Sequence, residues 1–460
     1  MIEHSNQLYK KKGSVLAYIL VIVSISMILL ISVIQIVVSR IEYAQYRENR
    51  EQAFQIAEAG VYFYRWYLAH EIEGKTMQQI RNFWENGDPL GVGDVFERDV
   101  FDIDGTLRGR YAIHVTPPEA YSTIVIVEAE GWSVKNPENK RTIQVRFRRP
   151  SWSEYAVLGN NYMRFGNGTT IMGPLHVNGG VHFDGVSHNI VSSAVTQYYD
   201  DDSDVRGWRS GVWSLWTGEY NTSMGAHVFS GGKSFPTTEK SFASVSTNLS
   251  LIKDSAIASN TYFDDDRVGR HIILNSNGTF SIRKVRAYIS STNKIDSYSG
   301  GWETRNIPDN GVIYVEDNIW LEGLIQNKRV TIVAANLVGG VAPNIFIEKS
   351  IRYTYYDGRD ILGIIAENDI EITKDSENNL RIDGALLSQS GRVGRSYYTD
   401  YKNSITVFGS IASNQRYGFA YTDGTGYAIR NLYYDNNLLY YPPPYFPTGD
   451  TYAIDLWREI

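Results

Sequence analysis

The sequence predicts a mainly β protein carried on one long N-terminal α-helix: a transmembrane helix, then a small antiparallel sheet, then a parallel β-helix or β-solenoid. A β-sandwich is the alternative for the last part. Three observations lead there. The stretch Ser14 to Ser39 contains no charged residue. Tyr (33) outnumbers Phe (17), and Gly (40) and Pro (13) are frequent enough for many short strands and tight turns. A strand–Asn–strand pattern also recurs in the second half of the chain. At 460 residues, the length allows more than one core.

As a helix, Ser14 to Ser39 would be about 39 Å long, enough to cross a bilayer with some tilt. Val15, Tyr18 and Val38 belong to this membrane helix. Lys10, Lys11 and Lys12 precede it, whereas Arg40 and Glu42 share the far flank. The positive-inside rule therefore predicts a single-pass protein in membrane lipid, with a cytoplasmic N-terminus and an extracytoplasmic or cell-surface C-terminal domain. Past the membrane, Arg40 to Glu51 is highly charged and free of Gly and Pro. Ala53, Ala57, Gly60, Tyr64 and Leu68 then follow at helical spacing. One unbroken rod from Val15 to about Glu71 is expected, roughly 85 Å long at the standard helical rise.

The junction Lys11-Lys12-Gly13-Ser14 resembles a prepilin-type leader, which is cut on the cytoplasmic face so that the helix survives. Gln52-Ala53-Phe54-Gln55-Ile56-Ala57-Glu58-Ala59-Gly60-Val61 resembles the signature of PilX-type minor pilins. This resemblance implies a pilin-like structural or assembly component of a type IV pilus-like machine. A prepilin peptidase would act between Gly13 and Ser14, and other pilin-like subunits would be partners. One residue departs from the family: where it usually carries Glu, five residues after the cut, this chain has Tyr18. The missing carboxylate fits a tip or initiating subunit, with no forward neighbour whose terminal amine needs neutralising, and equally a protein that does not polymerise. A plain membrane anchor preceded by Lys-Lys-Gly is the simpler alternative.

Residues 1–13 thus read as leader, 14–71 as helix, 72–150 as a small pilin-like subdomain and 151–460 as the solenoid. Gly74, Gly87-Asp88-Pro89, Gly91 and Gly93 mark a connecting stretch. Arg110 to Val115, Thr123 to Glu128 and Thr142 to Phe147 read as strands of a meander, with turns at Pro117-Pro118 and Asn136-Pro137. Pro150-Ser151-Trp152 marks the boundary. Beyond it, Asn318, Asn336 and Asn368 occupy equivalent corners between strands, because Asn tolerates left-handed turns and bonds its own backbone. Thr170 to Gly185 reads as the first rung, and about 187–310 as an insertion. Leu439 to Pro447, and then Asp455 to Arg458, read as a polyproline-like strap whose aromatics cap the solenoid. Residues 155 to 460 resemble an uncharacterised domain family that follows PilX-like N-termini; that resemblance implies architecture and no activity.

The net charge of −7 gives no basic footprint, so nucleic acid is not an expected partner. With no cysteine, disulfides and thiolate sites are excluded. No P-loop, nucleophile elbow, zinc-protease helix or EF-hand loop occurs, so neither an enzyme nor a cofactor is predicted. His176, His182 and His188 invite comparison with a zinc or copper site, but Gly179-Gly180 breaks their period and turn roles explain them better; no metal ligand is assigned. Asp200-Asp201-Asp202 and Asp264-Asp265-Asp266 read as solvated loops, with calcium as the alternative. Trp208, Trp213 and Trp216 beside carboxylates suggest a surface glycan, hence a second function: a membrane-anchored extracytoplasmic carbohydrate-binding or carbohydrate-active β-helix protein.

Overall fold

The computed structural model describes residues 9–119, 122–240, 242, 246–265, 268–449 and 451–460. Helix α1 (Tyr9–Ile72) is continuous, as its uninterrupted pattern predicts. Its second half lies on a five-stranded antiparallel sheet, β1 (Phe96–Phe101), β2 (Leu107–Thr116), β3 (Ile124–Ser133), β4 (Asn136–Arg148) and a C-terminal strand, Ala453–Glu459, in that order. Residues of β3 alternate between half-buried and buried, the period of a strand with one face on a core. Val125, Val127 and Ala129 from β3, with Ile143, Val145 and Phe147 from β4, meet Ala57, Val61, Tyr64 and Leu68 of the helix. Close approach depends on glycine. A Cβ on Gly131 would stand 2.3 Å from Ala57 N, so the helix backbone rests directly on the strand.

Four local expectations change here. The stretch after α1 carries a second helix, α2 (Met77–Asn86), started by a capping box between Thr76 and Gln79. Strand β1 escaped notice because Phe96–Phe101 is charged and only partly buried. Asn136-Pro137 opens β4 instead of forming the turn, which falls at Val134-Lys135. The last strand, which the sequence places in the solenoid strap, pairs with β4 instead. Asp455 accepts from Arg146 Nε at 2.8 Å and from Arg148 Nε at 3.2 Å, and Trp457 packs on Tyr62.

The larger part is a parallel solenoid, not a sandwich. Its inner column runs Ile313, Ile332, Ile364, Leu386, Ile411, Val157, Leu175 and Val191, each in register with the next on a parallel strand. All eight are buried. Parallel strands covered on both faces account for the near-continuous apolar runs Ile361–Ala366 and Val312–Val315.

The stacking order differs from the chain order. The chain enters mid-stack at Val157–Gly159 and builds outward through Leu175–Val177 and Val191–Ser193 to Lys233–Ser234. It then returns along the flank: Thr237 N bonds Ser193 O, Lys240 N bonds Asn178 Oδ1, and Phe242 packs on Trp152. Helix α3 (Ser246–Ala258) follows, with Leu249, Ile252 and Ala256 buried against Val312, Tyr314 and Val333. Rungs resume at Tyr262–Phe263 and work back until Ile411–Ser413 pairs with Val157–Gly159. The 187–310 segment is therefore only partly an excursion. It supplies rungs at both ends, a return helix, and a long hairpin between Thr279–Ile289 and Lys294–Asn306.

The corner asparagines are Asn318, Asn344 and Asn368. Asn344 N and Nδ2 bond Asn318 Oδ1 at 2.8 and 3.3 Å, and Asn368 Nδ2 bonds Asn344 Oδ1 at 3.0 Å. Asn336, expected at a corner, opens a loop instead; that loop delays the turn to Asn344. The strap crosses a flank, not an end: Phe446, with Tyr441 and Tyr445 beside it, joins Val312, Tyr314, Val333 and Ile365 on the outward face of the rungs. It also reaches α2, where Arg81 Nη1 donates to Tyr445 Oη at 2.7 Å.

Candidate functional site

The first half of α1 has the most distinctive surface. From Val15 to Val38 its large apolar side chains face outward with no protein cover; Val15 is 55% exposed, Tyr18 71% and Val38 46%. In water such a surface is costly, so a medium or partner without water must cover it. Its backbone is satisfied internally, and two of its serines bond back to the helix: Ser24 Oγ donates to Leu20 O at 2.8 Å and Ser32 Oγ to Ile28 O at 2.9 Å. The helix is long and apolar enough to cross a bilayer. Gly13 and Ser14 lie within α1, one turn or less from Val15, while the side chains before Val15 lie outside the described residues.

Just past the apolar stretch the helix changes role. Ala53, Ile56, Ala57, Val61, Tyr64, Leu68 and Ile72 recur every three or four residues and are buried on the sheet. Gly60 is within this stripe, and a Cβ there would stand 3.1 Å from the Tyr111 ring. Desolvation raises the Tyr64 hydroxyl well above its ordinary pKa, consistent with its place in the core. Arg50 and Arg141 both approach Glu459 of the C-terminal strand, so the chain's end clasps the helix where it leaves the apolar zone. The same helix therefore presents an exposed apolar half and a half buried on the sheet.

The other sequence candidates separate. His176 is buried, bonded to Ser192 Oγ at 3.0 Å and Asn178 Oδ1 at 3.2 Å, while His188 is exposed and His182 fully buried. The three imidazoles do not converge. Asp201 accepts from Tyr162 Oη at 2.7 Å. Asp202 takes both Arg416 nitrogens, at 2.6 and 2.8 Å, and Arg164 Nη1 at 3.0 Å. Burial pushes the Asp202 carboxyl up, but those guanidiniums hold it below the usual carboxylate range. Asp264 accepts from Arg270, and Asp266 lies outside the described residues. Trp208 is exposed, but Trp213 stacks on His182 and Trp216 Nε1 donates to Asp184 O, so the three indoles form no shared platform. Sequence reasoning missed Asp184, Arg164 and Arg416; no local signal joins residues so far apart along the chain.

No known family model matches the chain, and no curated protein does. One solved structure that matches is the competence-associated pilin ComZ from Thermus thermophilus, 14% identical, covering 90% of this chain and 97% of that one, with a TM-score of 0.31. At that score the two chains do not superpose as one arrangement, and the match assigns neither fold nor role.

Proposed function

We propose that this chain is a pilin-like component of a type IV pilus-like machine, held in the membrane by the first half of α1. The observation that carries this reading is the single helix, exposed and apolar in one half and seated on an antiparallel sheet in the other. An ordinary anchor needs only the first half; a subunit that packs its rod beside others needs a rigid continuation into its head. The PilX-like run Gln52 to Val61 lies where the rod meets the sheet. Basic residues before the helix support a solenoid outside the cytoplasm. Prepilin peptidase would cut between Gly13 and Ser14. Tyr18 leaves the helix without the family's usual carboxylate, which, with the bulk of the solenoid, favours a tip or initiating position over the shaft.

The test is the mass of the mature chain from cells containing a prepilin peptidase. Removal of residues 1–13 takes three lysines and one glutamate away, so the formal net charge moves from −7 to about −9. A mature chain beginning at Ser14 is expected. One that retains Met1 in cells that process their other pilins overturns the reading.

A further inference from the structure

We propose that His182, Asp200 and Asp202 form a binding site for a divalent transition-metal cation such as Zn2+, with Asp184 orienting the imidazole. The His182 side chain has no solvent exposure, and both ring nitrogens are shut off from water. Neither nitrogen makes an aligned hydrogen bond. Nε2 lies 2.8 Å from Asp184 Oδ2, off the line an N–H would take, and Nδ1 lies 3.6 Å from Asp200 Oδ2. Each nitrogen therefore faces a carboxylate. A neutral imidazole has one N–H, so its other nitrogen would turn a lone pair toward a buried anion.

A cation on Nδ1 removes that conflict. It leaves the proton on Nε2, 2.8 Å from Asp184 Oδ2, and a small rotation of the ring would align that N–H with the carboxylate, giving the carboxylate–histidine–metal arrangement that holds a metal-binding ring in one tautomer. Asp184 is itself fixed, because its Oδ1 accepts from Ser214 Oγ at 3.1 Å and Leu215 N at 2.8 Å. Asp200 accepts from Tyr198 Oη at 3.0 Å and from Asp202 N at 3.1 Å. Trp213 stacks on the imidazole at 4.0 Å and 21°.

The distances suit a shared ion. Ligand atoms 3.6 Å apart, each about 2.1 Å from one cation, subtend an angle of about 118°, near tetrahedral. One ligand atom each from His182, Asp200 and Asp202 lies within 4.8 Å of the others, and Asp202 would join the same ion by turning one oxygen away from Arg416 and Arg164. Charge points the same way. Asp202 and Asp204 pair with Arg164 and Arg416, whereas the buried Asp184 and Asp200 have His182 as their one ion-pair partner among the described residues. A divalent cation cancels both, whereas an imidazolium cancels one. One nitrogen and two carboxylates favour a transition metal over calcium, which takes six to eight oxygens.

The experiment uses the full chain in detergent micelles, stripped with chelator and dialysed against low-micromolar ZnCl2. About one equivalent of retained zinc is expected, falling to background in His182→Ala and Asp200→Asn, unchanged in His176→Ala, and held 10- to 100-fold more weakly in Asp184→Asn. Zinc-edge X-ray absorption of the wild type should show one imidazole with oxygen ligands, a readout that does not depend on the variants folding. Wild-type protein without stoichiometric zinc overturns the site, as does equal binding by a folded His182→Ala or a spectrum with two or more imidazoles.

Discussion

Substituting Gly131→Ala tests whether the rod is seated on the sheet as tightly as its geometry implies. Gly131 pairs with Tyr111 on one side and Arg141 on the other, in extended backbone that alanine adopts freely. Removing glycine's freedom in the unfolded chain would by itself favour alanine by about 0.4–1 kcal/mol. The added methyl, however, would lie 2.3 Å from Ala57 N, 2.5 Å from Ala53 O and 2.9 Å from Ala57 Cα. These are backbone atoms of a helix and cannot rotate aside, so α1 must lift by about 1 Å along a core that includes Val61, Tyr64 and Leu68. Overpacking of that kind costs about 1–3 kcal/mol, and rigid neighbours place it at the upper end. The clash outweighs the entropic gain. The net cost of about 2–2.6 kcal/mol means that, by hydrogen exchange on the full chain in micelles, amides from Ala53 to Ile72 should exchange about 30- to 70-fold faster, since each 1.4 kcal/mol is a factor of ten. Gly301→Ala is the control, because a Cβ there meets nothing within 4 Å. Helix amides within threefold of wild type in Gly131→Ala would refute the close seating of α1.

Two further outcomes follow from the solenoid. In Asn344→Ala, the Asp369 N–H and the Asn368 amide lose the oxygen they share at 3.0 Å; the urea midpoint of the solenoid should fall by the equivalent of about 1–3 kcal/mol, whereas Asn336→Ala should cost less than about 0.5 kcal/mol. Equal effects would remove Asn344 from the ladder's special role. The Glu322 carboxyl is held below its usual range by its bond to His271, against burial, with Lys349 assisting. Its contribution is present above the ordinary carboxylate pKa and lost as pH falls through the lowered value, so Glu322→Gln should make unfolding less steep between about pH 5 and 3. An unchanged acid limb would show that the group does not contribute.

Legibility from sequence follows the range of the interactions. Helix α1 was readable from Val15 to about Glu71, since the uncharged run and the spacing of Ala53, Ala57, Tyr64 and Leu68 are local signals, but not its first turn from Tyr9, which lies in the stretch read as leader. The parallel rungs were recognisable for a similar reason, but their corners were not all placed. The loop after Asn336 carries the chain past the expected turn, and the hydrogen bonds that identify Asn344 reach residues 26 and 24 positions away. The His182 cluster was half visible. His182 and Asp200-Asp201-Asp202 drew notice separately, but their conjunction depends on a coil bringing them together, and the balancing Arg416 lies 214 residues from Asp202.

By itself the sequence determined the elements whose energy is local: a helix that nothing interrupts, strands rich in β-branched residues, and an apolar segment long enough for a bilayer. Tertiary structure alone decided which of them become neighbours. The chain could have stacked its rungs in order from Val157 onward; instead it returns by α3 and closes the stack where it began, and Ala453–Glu459 goes back to β4. A strand's pattern states that one face must be buried and its edges paired, but many strands satisfy that demand equally. The choice among them belongs to packing over the whole chain, where complementary side chains far apart in sequence select one arrangement.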